Sequence, residues 1–360
     1  NLMPSFNMVH KNLNPEDIIS EKFEKILGQN EAKIQLKSAI LMDRHVILVG
    51  PPGVGKTSFA KNVAELLKSI KAVDCSYHCN PEKPICPECL HKIKNNEKLE
   101  IVELNGKDRF IRVQGSPDLT VEDLIGDIDP IKALEYGPLS MQAFTPGKIF
   151  KANRGLLFFD EVNRCPEKLQ NALLQILEEG KATIGNHDVD IDASFIFIGT
   201  MNPTDFAGTQ SLSEVFLDRT DLIYVNYPET REIEMQILDE NTQELDSIEM
   251  PEKISYSIVE FIQKLRQSDK LEKQPSVRAS IGLHERSRSY AKLCNCNKVE
   301  MKHVEFVIPS VLEHRIKLKP NYKFLMKPKD FLKKEFNDFK KEGNNYAGIA
   351  PKREKSSEVP

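Results

Sequence analysis

A glycine-rich segment near residue 50 carries the residue types that bind the phosphates of a nucleotide. Its glycines let successive backbone N–H groups converge on anionic oxygens without Cβ clashes. We expect Lys56 to reach the β- and γ-phosphates and the hydroxyl of Thr57 to ligate Mg²⁺. The sequence therefore predicts a phosphate-binding loop made of Gly50, Pro51, Pro52, Gly53, Val54, Gly55, Lys56, Thr57 and Ser58.

Two adjacent carboxylates, Asp160 and Glu161, follow the apolar run 156–159. Parallel α/β sheets bind ligands at the carboxyl ends of their strands, so this position suits a metal and water site. We expect Asp160 to hold Mg²⁺ through water and Glu161 to polarise the attacking water. Acids at a strand end are often only solvated. In a chain that also has a phosphate-binding loop, however, the pair predicts hydrolysis.

A further polar residue, Asn202, follows the apolar run 195–200. Its amide could hydrogen-bond the γ-phosphate or the attacking water. An asparagine before Pro203 could equally be only a turn former. Two roles are likewise open for Ile26 and Leu27, which could line an adenine pocket or belong to the hydrophobic core.

Four of the seven cysteines form a cluster with the spacing Cys-x3-Cys-x6-Cys-x2-Cys. The segment has prolines and little apolar content, so it is not expected to pack as a core. Four thiolates complete the tetrahedral shell of Zn²⁺, which would make the site structural. His78 or His91 could replace one thiol, and free thiols or an iron–sulfur cluster are alternatives. The predicted zinc ligands are Cys75, Cys79, Cys86 and Cys89.

Apolar runs alternate with amphipathic segments along the first two thirds of the chain. This pattern predicts an α/β fold with a doubly wound parallel sheet, in which strands and helices position the residues named above. Asn30 is expected to be the N-cap of the first predicted helix. Strands are predicted at 45–49, 110–113, 156–159, 195–200 and 222–225, and helices at 30–43, 58–67 and 166–179.

The pattern changes near Pro228, beyond which the chain is predicted to be all-helical. We expect an irregular segment at 1–20, a nucleotide-binding domain at 21–228 and a helical lid domain at 229–320. Residues 321–360 are predicted to form a helix and a disordered tail. Within the first domain, 118–153 is predicted to be a helix broken by a projecting hairpin, and 181–193 a short hairpin. The lid helices are predicted at 230–243, 251–266, 276–293 and 300–316.

The composition is that of a globular protein of 360 residues, with 40% hydrophobic and 29% charged residues. A net charge of -4 gives no general attraction to nucleic acid or to an anionic membrane. No apolar run has the length of a membrane span, and the first residues lack a signal pattern. We therefore expect a cytoplasmic protein, in which clustered cysteines bind metal rather than form disulfides.

These motifs occur in the order of a known family. Over residues 22–316 the chain resembles AAA+ ATPases, and within them the MoxR-like and magnesium-chelatase ATPase-subunit group. The combination of Pro146-Gly147 with Asp160-Glu161-Val162-Asn163 is specific to this group. The matching segments are Ile26-Leu27-Gly28-Gln29, Gly50 to Thr57, Phe144-Thr145-Pro146-Gly147, Ala152-Asn153-Arg154-Gly155, Asp160-Glu161-Val162-Asn163, Met201-Asn202-Pro203, Leu217-Asp218-Arg219 and Pro275-Ser276-Val277-Arg278-Ala279.

The resemblance implies roles for three residues. Asn202 is similar to the first sensor, Arg219 to the arginine finger of the neighbouring subunit's site, and Arg278 to the second sensor on the lid. It also implies a homo-hexamer, and it identifies 118–153 with the helix-2 insert and 181–193 with the hairpin before sensor one. An ordinary surface salt bridge is the alternative for each arginine, but the joint occurrence of all three positions favours the functional roles. The chain departs from the family at Thr220, where phenylalanine is common, and in the cysteine insert.

The function expected from this resemblance is Mg²⁺-dependent ATP hydrolysis by a ring that remodels a protein or metallocofactor partner. One alternative is the motor subunit of a magnesium or cobalt chelatase, which would need a partner with an integrin-like metal-binding domain. A second is a nucleic-acid motor related to the MCM helicases, which the acidic balance disfavours. A third is a binding module in which ATP acts only as a switch.

Overall fold

The chain forms two compact units, Asn1–Asn226 and Tyr227–Pro360. The computed structural model describes residues 13–137, 140–183, 190–202, 212–245 and 247–345. The first unit ends two residues before Pro228, near which the sequence predicts a domain boundary.

A five-stranded parallel sheet organises the first unit, in the order β11-β1-β10-β7-β4. All five apolar runs predicted as strands belong to it, and the predicted α/β fold is confirmed. All four residues of β1 are buried, as are the first five of β10, because both faces of a parallel sheet are covered. The strands of this unit are β1 (Val46–Val49), β2 (Ile70–Val73), β3 (Ile101–Leu104), β4 (Phe110–Gln114), β5 (Gly126–Ile128), β6 (Phe144–Pro146), β7 (Leu156–Asp160), β8 (Lys181–Thr183), β9 (Asp190–Asp192), β10 (Ile196–Met201) and β11 (Asp221–Tyr224).

The helices of the first unit differ from the predicted ones mainly at their ends. Residues 15–20, predicted to be irregular, form a helix because the side chain of Asn14 accepts a hydrogen bond from the first turn. Asn30 is not the N-cap of the next helix but its first residue, since Gln29 takes the cap position with φ 58°. The helices are α1 (Pro15–Ser20), α2 (Asn30–Leu41), α3 (Lys56–Glu65), α4 (Pro87–Lys94), α5 (Val121–Ile125), α6 (Pro130–Tyr136), α7 (Lys148–Lys151), α8 (Glu167–Glu179) and α9 (Glu214–Asp218).

Residues 118–153, where the sequence predicts a broken helix, contain α5 and α7 with a hairpin between them. Strands β5 and β6 pair in antiparallel register and carry α6 between them, although residues 138–139 lie outside the described part. In the predicted hairpin 181–193, β8 pairs with β9, and residues 184–189 lie outside the described part of the chain.

In the residues that the structure describes, the second unit consists of helices and one antiparallel strand pair, β12 (Leu271–Lys273) with β13 (Lys317–Leu318). Its core contains a buried ion pair, in which Arg266 donates to both oxygens of Glu234 at 2.6 and 2.8 Å. No helix in the described part of the chain has the length and apolarity to cross a membrane. The predicted tail beyond residue 345 lies outside the described residues. The helices are α10 (Arg231–Asn241), α11 (Glu252–Arg266), α12 (Val277–Leu293), α13 (Met301–Leu312), α14 (Pro320–Lys323) and α15 (Pro328–Asn345).

Candidate functional site

The glycine-rich loop begins where β1 ends, between the carboxyl ends of β10 and β11. The N–H of Gly50 donates to the carbonyl of Met201 at 3.1 Å. A Cβ on Gly50 would lie 2.0 Å from the carbonyl oxygen of Val225, so no other residue fits here without a backbone shift. The first glycine therefore fixes the loop against the neighbouring strands.

The end of the loop opens directly into α3. Gly55 is the N-cap of this helix with φ 93°, and Gly53 also has a positive φ of 79°. Glycine reaches these left-handed conformations without strain, and as an N-cap it offers no side-chain oxygen to the first-turn N–H groups. Those groups and the helix dipole are therefore arranged to receive an anion.

Lys56 and the candidate sensor Asn202 lie together at the loop. The Nζ of Lys56 donates to Oδ1 of Asn202 at 3.2 Å and to the carbonyl of Pro51 at 2.9 Å, and it also contacts the carbonyl of Gly50. The parallel register of β1 and β10 brings these two strand ends side by side. Two of the residues predicted to contact phosphate thus lie within hydrogen-bonding distance of each other.

Two residues that the sequence analysis did not identify hydrogen-bond the carboxylate of Asp160. The hydroxyl of Thr200 donates to Oδ1 of Asp160 at 2.7 Å, and Arg112 donates to Oδ2 at 2.6 Å. Thr200 also accepts from the backbone N–H of Glu161 at 2.9 Å. Thr200 is fully buried in β10, and a polar residue within an otherwise apolar run was the signal that could have identified it.

The carboxylate of Glu161 is oriented by two further side chains. Its Oε2 accepts from Gln114 at 3.1 Å and from Arg164 at 2.9 Å. The Glu161 backbone is left-handed, with φ 56°, an uncommon conformation that is often found at functional sites. Gly115 packs so closely that a Cβ there would lie 2.1 Å from the Glu161 carbonyl oxygen.

Arg219 lies at the other end of the sheet from the loop of its own chain. It immediately precedes β11, whose last residue, Tyr224, pairs with Val49 at the start of the loop. Residues 221 to 224 alone span about 10 Å at about 3.3 Å per residue. The Arg219 side chain is partly exposed and pairs with Glu178.

The departure from the family at Thr220 is accommodated within the fold. Thr220 is buried, and its hydroxyl donates to the carbonyl of Phe216 at 3.0 Å in the last turn of α9. Phe216 itself is fully buried and packs against the ring of Phe197 at 6.2 Å between centroids. The position next to Arg219 is therefore filled without the aromatic residue that the family commonly has.

The remaining nucleotide-site candidates differ in their surroundings. Ile26 is buried and Leu27 is half-buried, and the nearby Gln29 anchors this segment to Asn226, just beyond β11. The Gln29 amide donates to the carbonyl of Asn226 at 2.5 Å and accepts from its N–H at 3.3 Å. In the second unit, Arg278 is exposed in the first turn of α12.

The four clustered cysteines form a compact sulfur site. Their Sγ atoms all lie within 4.8 Å of one another, and the cluster does not include His78 or His91. The expectation that this segment does not pack as a core is wrong for three thiols. These three are fully buried in the main cluster of the first unit, namely Cys79, Cys86 and Cys89.

The chemistry of these sulfurs fits a soft cation. Backbone N–H groups of Cys79, Ile85 and Cys89 lie 3.4 to 3.5 Å from cysteine sulfurs, an arrangement that favours thiolates. Hydrogen bonds from neighbouring thiols lower the pKa of Cys75, whereas burial raises the pKa of Cys89 to about 12. The protein alone thus does not stabilise four thiolates, and a divalent cation would supply the missing positive charge.

Two family models match the chain. The model for the ATPase family associated with various cellular activities (AAA) matches residues 93–222. The model for magnesium chelatase, subunit ChlI, matches residues 22–78. The second match contains the glycine-rich loop, and the first contains the paired carboxylates, Asn202 and Arg219.

Individual proteins are similar over most of the chain. YeaC of Bacillus subtilis, an uncharacterized protein, is 28% identical over 321 residues, which cover 83% of this chain and 85% of that protein. The chloroplastic magnesium-chelatase subunit ChlI-2 of Arabidopsis thaliana is 28% identical over 330 residues, with 83% and 76% covered. A cryo-EM-based structure of the magnesium-chelatase BchI–BchD complex has 20% identity and a TM-score of 0.48, covering 86% of this chain and 98% of that one.

Proposed function

We propose that the chain, an AAA+ ATPase related to magnesium-chelatase ChlI subunits, is a MoxR-like ATPase that works as a ring whose ATP sites lie between neighbouring subunits. In this proposal, ATP hydrolysis drives the remodelling of a protein or metallocofactor partner. The expected assembly is a homo-hexamer.

The position of Arg219 carries the proposal of a shared site. Arg219 lies at the amino end of β11, whereas the glycine-rich loop lies at the carboxyl end of the adjacent β1. An arginine that stabilises transition-state charge must reach the γ-phosphate. Arg219 is separated from its own loop along the strand, so we propose that it serves the site of the next subunit.

The residues around the loop are proposed to have separate roles in ATP hydrolysis. We propose that the loop and Lys56 bind the phosphates, that Glu161 accepts the proton of the attacking water, and that Asn202 contacts the γ-phosphate. The hydroxyl of Thr57 and the carboxylate of Asp160 are hard oxygen donors of the kind that Mg²⁺ prefers. The bound ion would neutralise charge on the phosphate oxygens.

Two further nucleotide contacts are proposed from the sequence resemblance, one by Arg278 and one by the segment before α2. Arg278 is exposed at the start of α12 and is proposed to sense the nucleotide from the second unit. Ile26 and Leu27 are proposed to contact the adenine, since the hydrogen bonds between Gln29 and Asn226 anchor their segment beside the loop.

A chelatase motor is the second candidate function. The similarity to magnesium-chelatase ChlI subunits, which covers 83% of this chain, favours it. Such a motor would act with a partner that carries an integrin-like metal-binding domain.

The cytoplasm remains the proposed location, because the cysteines of the described residues are free thiols.

We further propose that Cys75, Cys79, Cys86 and Cys89 bind one structural Zn²⁺. The support is the distance between their sulfurs, all within 4.8 Å, together with the backbone N–H groups directed at them. A closed shell of four thiolates leaves no position for catalysis. Metal analysis of the purified chain is expected to give about one zinc per chain, and less than about half an equivalent would contradict the site.

The partner can be captured with the Glu161→Gln variant. This variant should bind ATP without hydrolysing it and so hold its partner in the bound state. We expect proteins to co-purify with it in the presence of ATP and to be absent with Lys56→Ala, which should not bind the nucleotide. Hydrolysis by Glu161→Gln at the normal rate would contradict the role given to Glu161. Stable capture of a protein with an integrin-like domain would favour the chelatase alternative.

A further inference from the structure

We infer that the metal-binding cysteines brace the hairpin of the helix-2 insert. The cysteine module is defined as residues 74–100, between β2 and β3, and the insert hairpin as the described residues 126–137 and 140–146. The inference rests on the proposed zinc site and goes beyond it, because it assigns the metal a mechanical role in another segment. Metal binding would fix the insert hairpin against the body of the first unit.

The first contact runs through α4, whose start is set by two of the cysteines. Cys86 is its N-cap, and the N–H of Cys89 lies 3.4 Å from the Cys86 sulfur. Two residues beyond Cys89, Nδ1 of His91 lies 2.5 Å from the Gln142 amide of the insert hairpin. The other ring nitrogen faces the Asn95 amide at 3.0 Å, so His91 joins α4 to the hairpin.

A second contact is a line of three aromatic rings. Tyr77 lies between two of the cysteines, and its ring packs on Phe150 with centroids 5.0 Å apart. Phe150 in turn meets Phe144 of β6 edge to face at 6.1 Å. All three side chains are buried. A displacement of the loop around Tyr77 would therefore be transmitted to the returning strand of the hairpin.

The backbone of the cysteine module is also tied to the base of the insert. The buried Asn153 donates to the carbonyl of Tyr77 at 2.9 Å, and Arg154 donates to that of His78 at 3.1 Å. Asn153 also accepts from the N–H of Ser194, which follows β9. One side chain thus joins the cysteine module to the second hairpin as well.

The module has little regular structure of its own. Its helix, α4, has only eight residues, which is too short to be stable alone in water. Of its four buried or half-buried thiols, none is bonded in a disulfide. A metal that closes this loop supplies the order that a core of this size cannot. Loss of the metal should therefore free His91 and Tyr77, and with them the insert hairpin.

Hydrogen–deuterium exchange on the full chain tests the brace, with zinc bound and after removal by a chelator. We expect the amides of β5 and β6 to exchange about tenfold faster without zinc, because their support opens locally. Trypsin should also cleave faster at Lys132, which is exposed in α6. Exchange in β10 and in β12 should not change, which would show that the protein has not unfolded globally.

The variant Gln142→Ala tests the contact between α4 and the insert hairpin independently of the metal site. It leaves all four cysteines in place, so it should keep one zinc per chain while raising exchange in β5 and β6 by about fivefold. Gln175→Ala is the matched control, because the exposed Gln175 amide hydrogen-bonds Glu179 of its own helix, outside the insert hairpin. A chain that binds no zinc overturns both the site and the brace. A chain that binds zinc, but whose hairpin exchanges equally with and without it, overturns the brace alone.

Discussion

The hydroxyl of Thr200 donates a 2.7 Å hydrogen bond to Oδ1 of Asp160 between two neighbouring strands. The hydroxyl oxygen of Thr200 also accepts a hydrogen bond from the backbone N–H of Glu161 at 2.9 Å. One buried side chain thus sets the position of both acidic residues. The carboxylate proposed to hold Mg²⁺ and the residue proposed to activate water are connected through it.

Replacement of Thr200 by valine should therefore impair hydrolysis more than nucleotide binding. The isosteric side chain removes the hydroxyl, so Asp160 and the Glu161 N–H lose a partner while the packing volume is kept. We expect kcat to fall about 10- to 100-fold with little change in KM. Steady-state ATPase measurements would show this split.

Thr200→Ser is the control for this prediction, since it keeps the hydroxyl and should recover most of the rate. A valine variant with normal kcat would contradict the positioning role. A variant that loses only thermal stability would assign Thr200 to the core alone.

Lys56→Ala should abolish nucleotide binding. The lysine is the cation of the loop, and its Nζ already lies among the loop carbonyls and Asn202. We expect the Kd for ATP to rise at least about 100-fold, because a charge-assisted contact to phosphate is lost. Calorimetric titration with ATP and Mg²⁺ measures this.

Lys61→Ala is a matched control on the same helix, because Lys61 is exposed on α3. Its Kd should equal that of the unaltered chain. Equal weakening by both variants would mean that the effect is one of net charge rather than of the loop.

The loop and the paired acids could be predicted from sequence because each is a local pattern. Gly50 to Thr57 directly follow β1, and Asp160 and Glu161 end and follow β7, so neighbours along the chain are neighbours in the site. The contacts that Arg112, Gln114 and Thr200 make with these acids could not be found in this way. Their contacts depend on the register of β4 and β10 with β7, which strand patterns do not specify.

The cysteine segment shows a second limit of sequence patterns. Its spacing predicts a metal site, but its low apolar content gave no sign that three thiols are buried. Burial arises from residues distant in sequence, such as Phe150 and Asn153, which cover the loop. Composition within a window does not report such coverage.

The stability of the second unit should depend on His284. Its side chain is buried in α12, with Nε2 3.0 Å from the hydroxyl of Ser255, and burial together with the charge of Arg288 lowers its pKa to about 4. The unfolded chain has the ordinary histidine pKa near 6.5 and binds a proton first as the pH falls. Stability is therefore lost on going below about pH 6.5.

The size of this effect is about 2 kcal/mol between pH 7.5 and 5.0. Urea unfolding followed by circular dichroism measures the free energy of unfolding at both pH values. We expect it to fall by about 2 kcal/mol more in the unaltered chain than in His284→Gln. Equal pH dependence in the two proteins would mean that His284 is not buried as a neutral group.

Arg219→Ala should abolish ATP hydrolysis without preventing ATP binding, because the arginine is proposed to act on the neighbour's γ-phosphate. Glu178→Ala is the matched control, since Glu178 pairs with Arg219 within the chain and has no role in the proposed chemistry. We expect Glu178→Ala to keep most of the activity. Loss of ATP binding in Arg219→Ala would instead place the arginine in its own subunit's pocket.

The most direct test of a site shared between subunits is to mix two inactive variants. Arg219→Ala lacks the finger but keeps Glu161, whereas Glu161→Gln lacks the base but keeps the finger. In rings of equal composition about a quarter of the interfaces would combine an intact base with an intact finger. If the site is shared between subunits, the mixture should have ATPase activity well above that of either variant. A mixture that stays inactive, although native mass spectrometry shows that both variants share the same rings, would contradict it.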